Sequence, residues 1–358
     1  MRALLCFLLL SLLVGCGGGP EAHPEQLPGF SSFVTTSDGW RLSLFRVPAR
    51  GGGPGGGVPV LLVPGTAMNR QSMMFEGSDL SAVLAEAGLD VWIAELRGSR
   101  TSKPPEPSMW GPGEWTVDEM IERDLPAIVE HVLSENGQDR LFWVGHSLGG
   151  ILGYAAAQGP LAPRIAGIVT LGSPGALVHP TELSLSGGGL EELVPKNGKA
   201  RVTNLVGGMR TLLRVSPDAP VLHLLFNAEN LDVDAAVAFA GPGTEDIGAG
   251  VLAQYRDWLD AGAIRSVDGE TDYTAGLARV SAPALVLAGR VDQLIPPWMA
   301  RLGYERLGST DKTWRVLGQG GGERHDYGHG DLLIGDWAFE EVHPVVRDWV
   351  LARAASAP

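Results

Sequence analysis

A serine flanked by glycines lies near the middle of the chain, in the segment GHSLG at residues 145–149. An apolar run over residues 141–144 precedes it, and a helix-like segment over residues 151–157 follows it. A Gly-x-Ser-x-Gly between a strand and a helix is typical of a nucleophile elbow, a sharp turn that exposes the serine hydroxyl. The glycines keep side chains out of the crowded turn. The pattern therefore predicts that Ser147 is a nucleophile for acyl transfer.

A nucleophilic serine needs a base and an acid that orients the base. The candidate acid is Asp292, which follows an apolar run over residues 284–287 that predicts a buried strand ending in a loop. A carboxylate just beyond such a strand can hydrogen-bond to an imidazole ring. The alternative is that Asp292 caps the helix predicted to begin near Trp298.

Two histidines near the carboxyl end of the chain are candidates for the base. His329 is the predicted base because it leads into a final amphipathic helix over residues 338–351. His325 is the alternative base, four residues earlier in the same loop. The other histidines, His146 among them, are predicted to be ordinary structural or surface residues.

The oxygen that becomes negatively charged during acyl transfer is normally stabilised by two backbone N–H groups. One donor is the residue after the nucleophile, here Leu148, and the other lies in a loop after an early strand. An apolar run over residues 60–63 ends in a Pro-Gly turn directly before Thr66. Thr66 and Leu148 are therefore the predicted oxyanion hole.

The residues around the predicted base suggest one competing chemistry. Clustered histidines and carboxylates can bind a divalent ion, and His325, Asp326, His329 and Asp331 lie within seven residues of sequence. No second cluster with ligand spacing occurs in the sequence, so neither a metal site nor a cofactor is predicted.

The elements that must position these residues alternate between strand and helix. Apolar runs predict strands at residues 91–94, 141–144 and 165–171, and a helix at residues 117–133. Such alternation predicts an α/β fold, with a mostly parallel central sheet flanked by helices. A glycine run over residues 51–57 is interpreted as a hairpin loop between two strands rather than as a phosphate site.

The distance along the chain between the candidate nucleophile and acid indicates an insertion. Ser147 and Asp292 are 145 residues apart, far more than one or two strand–helix units need. The excess predicts a helical cap over residues 176–275, inserted before the last strands. The cap would divide the core into a first part, residues 30–175, and a second part, residues 276–355.

Apolar residues recur at helical spacing within the predicted cap. One series includes Leu212 and Leu213, and another runs from Ile247 through Val251 to Leu259. These faces either pack on the body of the protein or line an apolar acyl pocket above the serine.

The first residues predict an exported, lipidated protein. The apolar run over residues 3–14 is too short to span a bilayer, and residues 13–16 read LVGC, a lipobox. The predictions are a signal peptide over residues 1–15, a lipidated Cys16 and a flexible tether over residues 16–29. The location would be the bacterial cell envelope, at the outer membrane in a Gram-negative cell. The alternative is an ordinary secretory signal.

Composition argues against several classes of partner. The net charge of −14 disfavours electrostatic binding to nucleic acid or anionic lipid surfaces, and no phosphate-cradling or dinucleotide motif occurs in the sequence. The two cysteines are Cys6, within the predicted signal peptide, and Cys16. The exported domain is therefore predicted to contain no disulfide.

Four stretches of the sequence, at residues 35–40, 90–99, 145–150 and 327–332, resemble α/β-hydrolases. Within that superfamily the chain is most similar to the acid lipases (gastric and lysosomal lipases) and to bacterial relatives near the polyhydroxyalkanoate synthases. The chain order Ser, Asp, His is also the order of this fold. The resemblance implies an ester hydrolase that acts on a small-molecule or lipid ester. Polyhydroxyalkanoate synthases carry cysteine where this chain has Ser147, which favours hydrolysis over polymerisation.

Two further functions remain as alternatives. An acyltransferase or polyester-related enzyme would use the same three side chains, with an alcohol in place of water as the acyl acceptor. A surface lipoprotein that binds ligands without catalysis would retain the triad only as a relic.

Overall fold

The computed structural model describes most of the chain, namely residues 30–51, 56–106, 114–178, 199–200, 202–219 and 222–355. The predicted signal peptide, Cys16 and the tether lie outside the described residues. No helix within these described ranges is long and apolar enough to cross a membrane.

An eight-stranded sheet forms the centre of the protein, in the order β1-β2-β4-β3-β5-β6-β9-β10. β1 and β2 are antiparallel to their neighbours, and the other six strands of this sheet, β3, β4, β5, β6, β9 and β10, are parallel to one another. Two short strands, β7 and β8, pair separately. The strands of the described residues are β1 Phe30–Thr35, β2 Arg41–Val47, β3 Pro59–Val63, β4 Asp90–Glu95, β5 Leu141–His146, β6 Ile165–Leu171, β7 Lys199–Ala200, β8 Ile247–Gly248, β9 Ala284–Gly289 and β10 Lys312–Leu317.

The central strands β3, β4 and β5 are buried at every position and mostly apolar, because helices cover both faces of the sheet. In β3, Val60 and Leu62 belong to one hydrophobic cluster, while Leu61 and Val63 belong to the cluster on the other face. The side chains alternate between faces with the two-residue period of a strand. This pattern explains why these strands appear in the sequence as short, continuous apolar runs.

Helices cover both faces of the sheet. α3 contributes Ile128 to the cluster that contains Leu61, and α12 contributes Val346 to the cluster that contains Leu62. The helices of the described residues are α1 Leu80–Glu86, α2 Val117–Glu119, α3 Leu125–Asn136, α4 Leu148–Ala156, α5 Val202–Val215, α6 Val233–Ala240, α7 Ala249–Ala261, α8 Tyr273–Gly276, α9 Pro297–Arg306, α10 Asp331–Ile334, α11 Ala338–Glu341 and α12 His343–Ala354. The predicted α/β fold, a mostly parallel sheet flanked by helices, is confirmed.

The helices α5, α6 and α7 lie between β6 and β9, as expected of a helical insertion before the last strands. α5 packs against α6, and Leu213 of α5 is 1% exposed within the cluster that also contains Val237 of α6. The boundaries at residues 176 and 275 stay a prediction, because part of this stretch falls outside the described residues.

The predicted hairpin at the glycine run of residues 51–57 is wrong. β2 and β3 flank this run, but β4 lies between them in the sheet and pairs with both. The run therefore connects two strands that do not pair with each other.

Candidate active site

Ser147 occupies the sharp turn between β5 and α4. Its backbone has φ 52° and ψ −117°, a conformation that is strained for a residue with a side chain. The glycines around it are required by close contacts. A Cβ on Gly145 would lie 2.2 Å from the carbonyl oxygen of Gly149, and a Cβ on Gly149 would lie 2.0 Å from the carbonyl oxygen of Val63. These distances explain the glycines at both positions of the motif.

Asp292 and His329 are hydrogen-bonded to each other. Asp292 Oδ2 lies 2.8 Å from His329 Nδ1, and both side chains are buried. The other carboxylate oxygen, Oδ1, accepts the backbone N–H groups of Leu294 (2.9 Å) and Ile295 (2.7 Å). Asp292 therefore stabilises its own loop while it orients the imidazole, and the bonds of Oδ1 go to this loop instead of to helix α9.

The end of β6 connects the serine to the Asp–His pair. The backbone N–H of Ser147 donates to the carbonyl oxygen of Leu171 at 2.9 Å. The next residue, Gly172, has φ 57°, and a Cβ there would lie 3.1 Å from His329 Nδ1 and 3.3 Å from Asp292 Oδ2. Ser147 and the hydrogen-bonded pair of Asp292 and His329 thus lie on either side of the end of β6, at the carboxyl edge of the sheet, where ligands bind in open α/β folds.

The alternative base, His325, is not paired with Asp292. Its side chain is half-buried, and its Nδ1 has no hydrogen-bond partner among the residues that the structure describes. The side chains of the possible metal cluster are also directed elsewhere: Asp326 lies 3.6 Å from Arg290, and Asp331 accepts backbone N–H groups. In the described parts of the chain, no three His, Cys, Asp or Glu side chains are grouped closely enough to hold a metal ion.

The predicted oxyanion residues, Thr66 and Leu148, border the same cavity, which has a volume of about 50 Å³. Leu148 is the first residue of α4, where a backbone N–H has no acceptor within the helix. Thr66 lies in the loop after β3, and the next residue, Ala67, has φ 57°, which is unusual for a residue other than glycine. The cavity is lined by Gly65, Thr66, Ala67, Met68, Leu96, Arg97, Gly98, Ser99, Trp115, Met120, Leu148, Glu245, Asp246, Ile247, Gly248 and Val251.

Among the residues that the structure describes, only one of the two apolar series predicted for the cap contributes side chains to this cavity. Ile247 and Val251, from the second series, line the cavity beside Leu148. Leu212 and Leu213, from the first series, are instead packed in or against the hydrophobic cluster that includes α6. If the insertion contributes to an acyl pocket, the contribution therefore comes from the segment that includes β8 and α7.

His146, predicted from the sequence to be a structural or surface residue, contacts two loops of the candidate site. Its Nε2 lies 3.0 Å from the carbonyl oxygen of His329, and the two rings are 4.6 Å apart. Burial, together with the smaller effect of the nearby His329, lowers the pKa of His146 to about 3. The ring is therefore neutral, with Nε2 as the donor to the carbonyl. A Cβ on Gly65 would lie 2.9 Å from its Nδ1, so one imidazole contacts both loops beside Ser147.

Asp331 is a second residue whose position the sequence did not reveal. Its Oδ2 accepts the backbone N–H groups of Gly328 (2.7 Å) and Asn227 (2.8 Å), and the side chain is fully buried. Burial raises the pKa of Asp331 to about 8, although both N–H donors act to lower it. This carboxyl joins the loop that carries His329 to the segment between α5 and α6 of the helical insertion. The only local signal was its place two residues after His329.

Residues 58–322 match the family described as the alpha/beta hydrolase fold. The chain belongs to this family. Among its relatives, human lipase member K is 34% identical over 180 residues, which cover 44% of each chain. Gastric triacylglycerol lipase of Bos taurus is 34% identical over 177 residues, covering 42% of this chain and 44% of the lipase. The predicted resemblance to gastric lipases is thus confirmed, although each match covers less than half of the lipase.

Solved structures of the α/β-hydrolase fold cover more of the chain at lower identity. An esterase from Thermogutta terrifontis aligns with a TM-score of 0.58 and 19% identity, covering 90% of this chain and 99% of the esterase. A structure from a study of carboxylesterases of Nitrososphaera gargenis aligns with a TM-score of 0.63 and 16% identity, covering 91% of this chain and all of that one. At these identities the likeness concerns the fold alone.

Proposed function

We propose that this α/β hydrolase cleaves carboxylic esters with Ser147 as nucleophile, His329 as base and Asp292 as the acid that orients the base. The observation that carries the proposal is the buried 2.8 Å hydrogen bond between His329 Nδ1 and Asp292 Oδ2, beside a serine on strained backbone. A serine, histidine and aspartate in this relation recur in serine hydrolases of unrelated fold.

The mechanism follows from the roles of these groups. Ser147 Oγ attacks the acyl carbon, and its proton moves to His329 Nε2 while Asp292 holds the proton on Nδ1. The backbone N–H groups of Thr66 and Leu148 stabilise the negative oxygen of the tetrahedral intermediate. Its collapse breaks the ester bond, and His329 returns the proton to the leaving alcohol. Water, activated by His329, then attacks the acyl-enzyme and releases the acid.

The proposed substrates are esters of apolar acyl groups, lipids included. The relatives named as lipases support this class, and so do the apolar side chains of Trp115, Met120 and Val251 in the cavity wall. An apolar wall selects a substrate by the area that the substrate buries. The net charge of −14 fits an uncharged ester better than an anionic ligand.

The proposal is tested with purified protein and p-nitrophenyl esters from acetate to palmitate. We expect hydrolysis within this series and stoichiometric labelling by a fluorophosphonate, which reacts with activated serines. The dependence of kcat/KM on acyl length would also define the acyl group that the cavity accepts. If the folded protein neither hydrolyses any ester of the series nor takes up the label, the proposal is wrong, and the non-catalytic alternative is favoured.

The proposed location is a bacterial cell envelope, with the protein anchored through a lipid on Cys16. The support is the LVGC segment at residues 13–16, after an apolar run too short to span a bilayer. Several acyl chains on one cysteine would give durable membrane binding, at about 0.8 kcal/mol for each buried methylene. A tether over residues 16–29 would hold the hydrolase domain away from the membrane surface.

Cys16→Ser should abolish lipidation. In a bacterial host fed a labelled fatty acid, we expect the wild-type protein to incorporate label and to sediment with membranes, and the variant to do neither. Cys6→Ser is the matched control, because this cysteine would be removed with the signal peptide and its loss should leave labelling intact. A labelled, membrane-bound Cys16→Ser protein would exclude this anchor.

A further inference from the structure

The helical insertion contacts the proposed oxyanion hole directly. The hydroxyl of Tyr255, on α7, lies 2.5 Å from Oγ1 of Thr66. Tyr255 is 189 residues from Thr66 in sequence, so this contact joins the insertion to the loop after β3. Burial raises the pKa of Tyr255, which keeps its hydroxyl protonated and able to donate to Thr66.

The loop that carries Thr66 has a conformation that needs external support. Ala67 has φ 57°, and residues in such regions persist only where surrounding contacts hold them. Within the loop, one backbone bond closes the turn, from Met68 N–H to the carbonyl oxygen of Gly65 at 3.2 Å. Most of the other bonds to this loop come from the insertion.

Backbone hydrogen bonds connect the segment just before α7 to Ala67 and to the residues that follow it. Glu245 N–H donates to the carbonyl oxygen of Ala67 at 2.9 Å, and Asn69 N–H donates to the carbonyl oxygen of Gly243 at 3.3 Å. The Asn69 side chain adds bonds of 2.7 Å to the Pro242 carbonyl oxygen and to the Glu245 carboxylate. The hydroxyl of Tyr255 therefore completes a set of hydrogen bonds from the insertion to the loop after β3. It is the member of this set that contacts the side chain of Thr66.

The position of Tyr255 is itself well defined. Its ring packs on Trp258, with ring centroids 5.2 Å apart, and the indole N–H of Trp258 donates to the carbonyl oxygen of Arg265 at 2.6 Å. Val251, one helical turn before Tyr255 on α7, lines the cavity beside Leu148. The same helix therefore contacts both the cavity wall and Thr66, the proposed oxyanion donor.

We propose that Tyr255 is a positioning residue, whose hydroxyl holds Thr66 so that the Thr66 N–H is directed at the developing oxyanion. The inference rests on the proposed function. It means that the insertion is needed for the chemical step itself, because part of the oxyanion hole is held in place by α7. An N–H donor contributes fully only when its direction is fixed before the charge develops.

Tyr255→Phe tests the proposal, since it removes the hydroxyl and keeps the ring that packs on Trp258. We expect kcat on a p-nitrophenyl ester to fall about tenfold with KM nearly unchanged, a smaller loss than the 10² to 10³ typical when an oxyanion donor is removed altogether. The melting temperature should change little. Tyr273→Phe, at a half-buried tyrosine on α8, is the matched control and should keep kcat within about twofold.

A double-mutant cycle separates positioning through Thr66 from other roles. Thr66→Val removes Oγ1 at similar volume, so the double variant should be no slower than the slower single variant if Tyr255 acts only through Thr66. The inference would be overturned if the double variant lost kcat by the product of the two single losses, or if Tyr255→Phe left kcat unchanged. In either case, ester hydrolysis by the wild type would still uphold the proposed function. Absence of ester hydrolysis by the wild type would instead overturn the proposed function.

Discussion

Ser147→Ala is expected to lose nearly all esterase activity, about 10⁶-fold in kcat, together with all covalent labelling by a fluorophosphonate. The reason is chemical, because alanine has no oxygen to form the acyl-enzyme, whereas the proposed oxyanion donors at Thr66 and Leu148 remain in place. Residual hydrolysis should therefore reflect binding and oxyanion stabilisation alone. The measurements are kcat on the preferred p-nitrophenyl ester and the mass shift after incubation with the probe.

Ser173→Ala is the matched control for the serine variant. Ser173 is fully buried beside α4, and its hydroxyl donates to the carbonyl oxygen of Leu171 at 3.3 Å. It lies close to the elbow but has no part in the proposed chemistry, so this variant should take up the probe like the wild type. Equal labelling of the Ser147→Ala protein would show that the reactive nucleophile is a different residue.

The parts of the fold that the sequence predicted best are those whose signals are local. The strand Ile165–Leu171 was predicted at its observed bounds, and the predicted strand at residues 284–287 differs from Ala284–Gly289 only at its end. Buried parallel strands are predominantly apolar because helices cover both faces, so a short window of sequence suffices to identify them. The candidate triad follows from the same logic, since each member was placed by the strand or helix beside it.

Contacts between distant segments could not be predicted in this way. The helix predicted over residues 117–133 is interrupted by a π turn, Met120–Asp124, and Met120 lines the cavity. The hairpin at the glycine run failed because strand order depends on β4, which is later in the chain than both flanking strands. Short turn motifs indicate where a chain bends but not which strand it will pair with.

The residues that support the candidate site were missed for the same physical reason. Tyr255 and His146 contact partners that are 189 and 183 residues away in sequence, so no periodicity or spacing marks them. His146 lies at the end of a buried strand, and the residues before it are apolar. Nothing in the local sequence distinguishes it from an ordinary core residue, because its hydrogen bond goes to a carbonyl group far along the chain. Residues of this kind can be recognised only from the folded structure, in which the loops after several strands lie next to each other.

His329→Ala is expected to be nearly as damaging as the serine change, because Ser147 without a base is a weak nucleophile. Members of a triad act as a unit, so the Ser147→Ala/His329→Ala double variant should be about as slow as either single variant. A loss confined to KM would contradict this role, since a base acts in the transition state. The measurements are kcat and KM on the same ester.

His325→Ala distinguishes between the two candidate bases. His325 lies in the same loop but makes no hydrogen bond to Asp292, which is bonded to His329 at 2.8 Å. Its replacement should therefore change kcat by only a few fold, as expected of a half-buried residue outside the chemistry. The opposite ranking of the two variants would transfer the base to His325. It would also require the loop to rearrange, because Gly172 leaves room for the hydrogen-bonded pair of His329 and Asp292, and the carbonyl oxygen of His329 is bonded to His146.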